Sequence, residues 1–210
     1  MLEHGRYRDA PQHHYLGWVI RTCTLEEARA NRRHLVLANG AGYWRSDFIR
    51  GERGPQAFLV EQDPNSEILT HYHEENEFQV FVKGGGTMGR SAIIPTTVHY
   101  AGRHTGYGPI HSGPQDLWYF SLRANTDPGA RFLPEWRDRM EKGPKRHLMG
   151  ATIEPQPDGI AAWVSSKNDF PARPGAARFY IDLSSLAVAF ADEPFEFQGA
   201  SNVLCVQFPC

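Results

Sequence analysis

The sequence predicts an all-β fold of the sandwich or barrel type. Three observations lead there. Glycine and proline, 20 and 15 of the 210 residues, make up about one residue in six, above ordinary usage. Stretches with helical periodicity are few. Short runs rich in Val, Ile, Phe and Tyr follow one another between turn residues, the spacing of a sandwich or barrel.

The first element is a short helix. Thr24-Leu25-Glu26-Glu27 has capping-box spacing, and good helix formers continue to Arg33. Strand-like runs then cover 34–38, 43–50, 56–62, 67–73, 77–83, 93–101 and 117–123. Asn39-Gly40, the glycines at 51 and 54, Asp63-Pro64-Asn65, Gly84-Gly85-Gly86 and the glycines at 106 and 108 separate them. Leu133 to Lys142 reads as a second helix, with Pro134 in its first turn and Gly143-Pro144 at its stop. Runs at 161–165, 178–183, 193–198 and 203–208 again read as strands. A chain of this length suits one elaborated domain. We divide it into an N-terminal arm with a short helix (1–33), a barrel core (34–125), and a C-terminal part (126–210) that completes or flanks the barrel or forms a degenerate second half of the same kind.

Charge narrows the function classes. A net charge of −2 argues against a nucleic-acid or anionic-membrane binder, and no helix-turn-helix with a basic recognition helix stands out. No apolar run approaches the ~18 residues of a membrane span, and the N-terminus carries no apolar signal core. Cys23, Cys205 and Cys210 are odd in number and lack C-x-x-C spacing. They read as reduced thiols of a cytoplasmic protein. An open barrel has edge strands to cover, so a homodimer is expected.

The chemistry concentrates in Thr70-His71-Tyr72-His73-Glu74-Glu75-Asn76-Glu77, followed by Gly84. With 10 histidines, composition alone gives roughly half an H-x-H per chain. Requiring the later Glu and Gly drops the chance to a few in a thousand, roughly. On a strand, residues i and i+2 share a face, so His71 and His73 point the same way. Glu77 opens the next strand after a turn and reaches the same point. Two imidazoles and a carboxylate suit Fe(II), Mn(II), Ni(II) or Zn(II) and leave positions open for substrate. Gln79, two residues after Glu77, shares its face and is placed to orient a ligand or substrate. The alternative for Gln79 is a polar group bonded to a neighbouring strand. His111, after a Gly-rich turn, is the candidate fourth ligand, with His99 and His104 as rivals. Glu74 and Glu75 read as a solvated turn.

These residues resemble the cupin family. Its first motif, G-x5-H-x-H-x3,4-E-x6-G, is matched by His71, His73, Glu77 and Gly84, while Asn65 stands at the opening glycine. Its second motif, G-x5-P-x-G-x2-H-x3-N, is matched by Gly108 and His111. Gly106 stands at the proline, Gln115 at the asparagine, and Gly102 is displaced by two. The resemblance covers roughly Val60 to Leu122. It implies a cupin-type double-stranded β-helix, with one metal held by His71, His73, Glu77 and His111. By analogy with the family we expect an enzyme acting on a small molecule, with non-haem Fe(II) dioxygenase chemistry favoured. In this reading Glu77 doubles as base and Gln79 assists. Alternatives are a non-redox lyase, isomerase or decarboxylase using Mn, Ni or Zn, and a cupin that binds a small molecule without turnover.

Overall fold

A computed structural model describes residues 12–15, 18–50, 54–165 and 173–209. The arm before Gln12 and Cys210 lie outside them. The chain opens with β1 (Gln12–Tyr15), β2 (Trp18–Cys23), α1 (Leu25–Arg29), β3 (Arg33–Val36), β4 (Gly42–Ile49) and β5 (Gln56–Gln62). It continues through β6 (Glu67–Ile68), β7 (His71–Tyr72), β8 (Glu77–Lys83), β9 (Gly86–Met88), β10 (Ser91–Ile93), β11 (Val98–Ala101) and β12 (Ile110–Ser112). The rest is β13 (Leu117–Arg123), β14 (Arg131–Phe132), β15 (His147–Gly150), β16 (Ala161–Ser165), β17 (Arg178–Asp182), β18 (Val188–Ala191) and β19 (Val203–Gln207).

A seven-stranded sheet of order β15-β11-β8-β13-β5-β4-β3 forms the middle layer. Strand alternation gives it two different faces. Phe78 and Val80 of β8, with Phe120 and Leu122 of β13, face one way and pack on Phe179, Leu204 and Val206. Those partners belong to a six-stranded sheet of order β1-β2-β18-β17-β19-β16, which joins the two ends of the chain. Phe58, Val60, Phe81 and Tyr119 face the other way, onto Ile68, Met88, Ile93 and Ile110 of the four-stranded sheet β10-β9-β12-β6. The barrel interior lies between these last two sheets. The architecture is the all-β jelly roll that the sequence predicts. No helix among the described residues is long and apolar enough to cross a membrane.

The capping box is present at α1: Thr24 accepts from the Glu27 amide, and the Glu27 carboxylate takes the Thr24 N–H. The second expected helix is not. Residues 133–142 hold only a 3₁₀ turn, Arg137–Arg139, none of whose residues is buried. The segment's apolar side chains, Leu133, Trp136 and Met140, are only half-buried, too little burial to hold a short α-helix. The expected strand 93–101 is two, β10 and β11, broken at Thr96 (φ 70°), whose N–H reaches the Phe81 carbonyl at 2.7 Å. The expected strand 193–198 is a loop containing Pro194. Its Phe195 and Phe197 cover Tyr180, while Val188–Ala191 takes the ladder position beside β17. The two described cysteines, Cys23 and Cys205, are free and buried.

Gly84 ends β8 with φ 78°, and a Cβ there would meet the Asp116 carbonyl oxygen at 2.0 Å. Gly40 has φ 84° and open space around it. We expect Gly40→Ala to cost only left-handed strain, about 1 kcal/mol. Gly84→Ala adds a backbone collision and should cost well over ~2 kcal/mol. Equal losses in urea denaturation of the two variants would contradict this account of the turn.

Candidate functional site

Strand pairing brings the reactive residues together. The backbone of His71 bridges that of Tyr107, with N–H···O distances of 3.1 and 3.0 Å. The two side chains therefore lie side by side, ring centroids 4.5 Å apart. The rings of His71 and His73 are 5.4 Å apart, as expected for residues on one face. On β8, Gln79 pairs with His99 of β11 on one side and with Ser121 of β13 on the other. Carried two residues further, the second register sets Arg123 beside Glu77. His71, His73, Glu77, Gln79, Ser121 and Arg123 thus share the wall of a cavity of about 390 Å³, a size suited to a small ligand.

Glu77 is almost fully buried, and three protein donors hold it. Arg123 Nη2 lies 2.6 Å from Oε1, Ser121 Oγ donates to the same oxygen, and Tyr107 Oη donates to Oε2. Burial works to raise its pKa, but Arg123, His73 and the two hydroxyl donors overcome it and hold the carboxyl at about 2. Arg123 Nη2 also lies 3.1 Å from His73 Nε2. On the far side of that ring, His73 Nδ1 donates to Asp127 at 2.7 Å. Asp127 further accepts from the amides of Glu74, Glu75 and Gly129. Burial alone would raise Asp127, yet the hydrogen bond from His73, with Arg123 and the Gly129 amide, holds it at about 2.

The hydrogens can be counted at His71. Its Nδ1 faces the Leu69 carbonyl at 2.7 Å, an oxygen that only accepts, so Nδ1 carries the proton. Burial and the neighbouring His73 lower its pKa to about 4, so at neutral pH Nε2 is a bare lone pair. That lone pair faces Tyr107 Oη at 3.0 Å, and the single tyrosine hydrogen already goes to Glu77. Burial and the charge of Glu77 keep the tyrosine protonated well above the usual range. The cluster is one hydrogen short. His99 shows the same pattern: Nδ1 donates to Gln79 Oε1 at 2.8 Å, and Nε2 is buried without a partner.

His71, His73, Glu77 and Gln79 stand where their spacing predicts. His111 does not, and it is a correction. On β12, Ile110 and Ser112 point inward and are buried, so His111 points out, 45% exposed, with Nε2 3.2 Å from Glu67. One residue of strand parity removes it from the cavity. His104 packs on Tyr72 and accepts from the Glu141 amide. Of the three candidates for a fourth ligand, His99 lies nearest the cluster, against the ring of Tyr107 at 4.8 Å. Tyr107, Ser121, Arg123 and Asp127 were not legible as site residues. The polar Ser121 and Arg123 at alternate positions of an otherwise apolar strand were the available signal.

The donors fit a divalent ion by type and tautomer. Two imidazoles have Nδ1 tied to oxygen acceptors, the arrangement that orients metal-binding histidines, and a charged carboxylate adjoins them. They are not closed on one point: no group of three or more His, Cys, Asp or Glu among the described residues is assembled as a metal site. His73 Nε2 and Glu77 Oε2 are 3.7 Å apart, with Arg123 Nη2 beside both residues.

No family model matches the chain, and no curated protein matches it. Among solved structures it is similar to a provisionally named dioxygenase from Nostoc punctiforme, with a TM-score of 0.67 and 8% identity, over 90% of this chain and 81% of that one. Weaker likenesses include oxalate decarboxylase from Bacillus subtilis, with a TM-score of 0.45 and 11% identity over 97% and 75% of the two chains. Another is an RmlC-like cupin protein from Ralstonia eutropha, with a TM-score of 0.38 and 16% identity over 53% and 80%.

Arg123→Met leaves a charge buried without its partner. We expect a loss of about 3–5 kcal/mol in metal-free protein, read by urea denaturation. His111→Ala removes only a half-exposed contact with Glu67 and should cost under about 1 kcal/mol. A larger loss from His111→Ala than from Arg123→Met would contradict the assignment.

Proposed function

Starting from the cupin fold, we propose that this chain is a metal-dependent enzyme acting on a small organic molecule, with Fe(II) the favoured ion and oxygen chemistry the favoured reaction. The observation that carries the reading is the missing hydrogen at His71. A buried lone pair facing an oxygen with no proton to give is what a bound cation would satisfy. His71, His73 and Glu77 would hold the ion, a two-histidine, one-carboxylate set that leaves positions open. The name of the Nostoc protein agrees with this reading. When bound, the ion supplies Lewis acidity and, if iron, electron transfer toward dioxygen.

The chain's own residues do the rest. Glu77 lowers the net charge of the centre from that of the bare ion by one unit. Its three protein donors suit it to a ligand's role better than a base's. Tyr107 holds a proton at Oη beside the substrate space and is the group placed to deliver it. Asp127 fixes the ring of His73, and Gln79 fixes that of His99. Phe58, Val60, Ile68 and Tyr119 line the cavity and exclude water.

A second reading rests on Arg123. Its guanidinium already satisfies Glu77 and His73 without an ion, as in a cupin that binds a small molecule and does not convert it. Metal analysis with an oxygen-electrode screen on catechols, diketones and thiols separates the two. The enzyme reading expects one iron per chain and substrate-dependent oxygen uptake. Stoichiometric Mn, Ni or Zn instead moves the reaction to non-redox chemistry. Metal-free protein with ligand binding and no turnover favours the second reading.

Glu77→Gln should lose the metal, and activity should fall with occupancy. Tyr107→Phe should keep the metal yet turn over ~10²–10⁴-fold more slowly if its proton is used. Full occupancy and unchanged turnover in both variants would remove both residues from the mechanism.

A further inference from the structure

The outer part of the same cavity carries more positive charge than the acids among the described residues neutralise. Arg33 of β3 and Arg45 of β4 are paired across the strands, and both line the cavity, as does Arg50. Between them stands one buried carboxylate, Asp47. It receives Arg33 Nη1 at 2.7 Å and Arg45 Nε at 2.7 Å, with Arg50 Nη1 at 3.7 Å. Among the described residues, three guanidinium groups face one acid, an excess of two charges. Deeper in, Glu77 and Asp127 are already committed to Arg123 and His73. They offer the arginines at the mouth nothing.

The donors left over are specific. Arg45 spends only Nε on Asp47, and its two terminal nitrogens have no protein acceptor among the described residues. Its guanidinium lies 3.6 Å from the centre of the Phe58 ring. Arg123, 5.4 Å from the same ring, has a buried Nε with no hydrogen-bond partner. A buried donor left unpaired costs free energy that a bound acceptor recovers. A guanidinium fork with free terminal N–H groups matches a carboxylate in geometry. Around these cations the wall is apolar: Leu37, Phe58, Val60, Ile68 and Phe132.

We propose that the cavity takes a small organic carboxylate, its anionic head on Arg45 and Arg33 and its apolar body along Phe58, Val60 and Ile68 toward Glu77. This names the substrate class of the cavity proposed above as the reaction site, and it does not need the metal. Asp47 then acts as the fixed counter-ion that holds two guanidinium groups in place while leaving their outer faces free. Such an arrangement favours a monoanion over a neutral molecule of the same shape.

The test uses benzoate and its neutral isostere benzamide as probes. Binding is followed by calorimetry on the full chain, both as isolated and after chelator treatment. The expected result is benzoate binding at least tenfold tighter than benzamide in both preparations. Arg45→Gln should weaken benzoate at least tenfold and leave benzamide unchanged, and Arg33→Gln should do so less strongly. Arg45→Lys keeps the ion pair with Asp47 and guards against loss of the fold, yet it lacks the fork and should recover only part of the affinity. Benzamide binding as tightly as benzoate, or benzoate indifferent to both glutamine variants, would overturn the proposal. Failure of the metal reading shows separately, as iron-free protein that still prefers benzoate.

Discussion

The arrangement of the barrel interior depends on one buried charge. Glu77 is 1% exposed and ionised, and a carboxylate removed from water is tolerated only when compensated. Arg123 supplies the charge, Ser121 and Tyr107 the remaining hydrogen bonds. Arg123 and Ser121 come from β13, and Tyr107 comes from the turn before β12. The requirement therefore fixes β13 beside β8, and the turn bearing Tyr107 against β7. The histidines are drawn into the same network. His73 is held between Arg123 and Asp127, while His71 shares the tyrosine oxygen. What is left unsatisfied, the lone pairs of His71 and His99, is where the cluster can take something from outside.

The second constraint is the faces of the middle sheet. One face must be apolar enough to join the six-stranded sheet, and the other must hold a polar site. Strand alternation meets both at once. Phe78 and Val80 go to the core, Glu77 and Gln79 to the cavity; Phe120 and Leu122 go to the core, Ser121 and Arg123 to the cavity. The six-stranded sheet covers the face that would otherwise be exposed, and it is built from both ends of the chain.

Much of this was legible in the sequence, for a physical reason. His71, His73, Glu77 and Gln79 lie close together in the chain, and the period of a strand decides their facing without knowledge of the fold. His111 was misread because it was placed by its motif position after the Gly-rich turn, which does not fix the parity of the three-residue strand that follows. Arg123, Ser121, Tyr107 and Asp127 reach the site through contacts across 30 to 54 residues, and such partners are not written in local pattern. The strand Val188–Ala191 was missed because Phe195 and Phe197 alternate with Glu196 and Gln198, whereas its own four residues are uniformly apolar and show no alternation. The competition was settled by which segment could donate every backbone N–H, and Pro194 cannot.

The central claim is that His71, His73 and Glu77 form a cation site from which Arg123 and Tyr107 can yield. The most direct measurement is anomalous diffraction at the iron edge on crystals of the Fe(II)-loaded full chain. The account predicts one strong peak within bonding distance of both histidine Nε2 atoms and a Glu77 oxygen, with Arg123 withdrawn from His73. A cavity without a peak, its Arg123–Glu77 pair intact, or a peak at His111 and Glu67 instead, would contradict it.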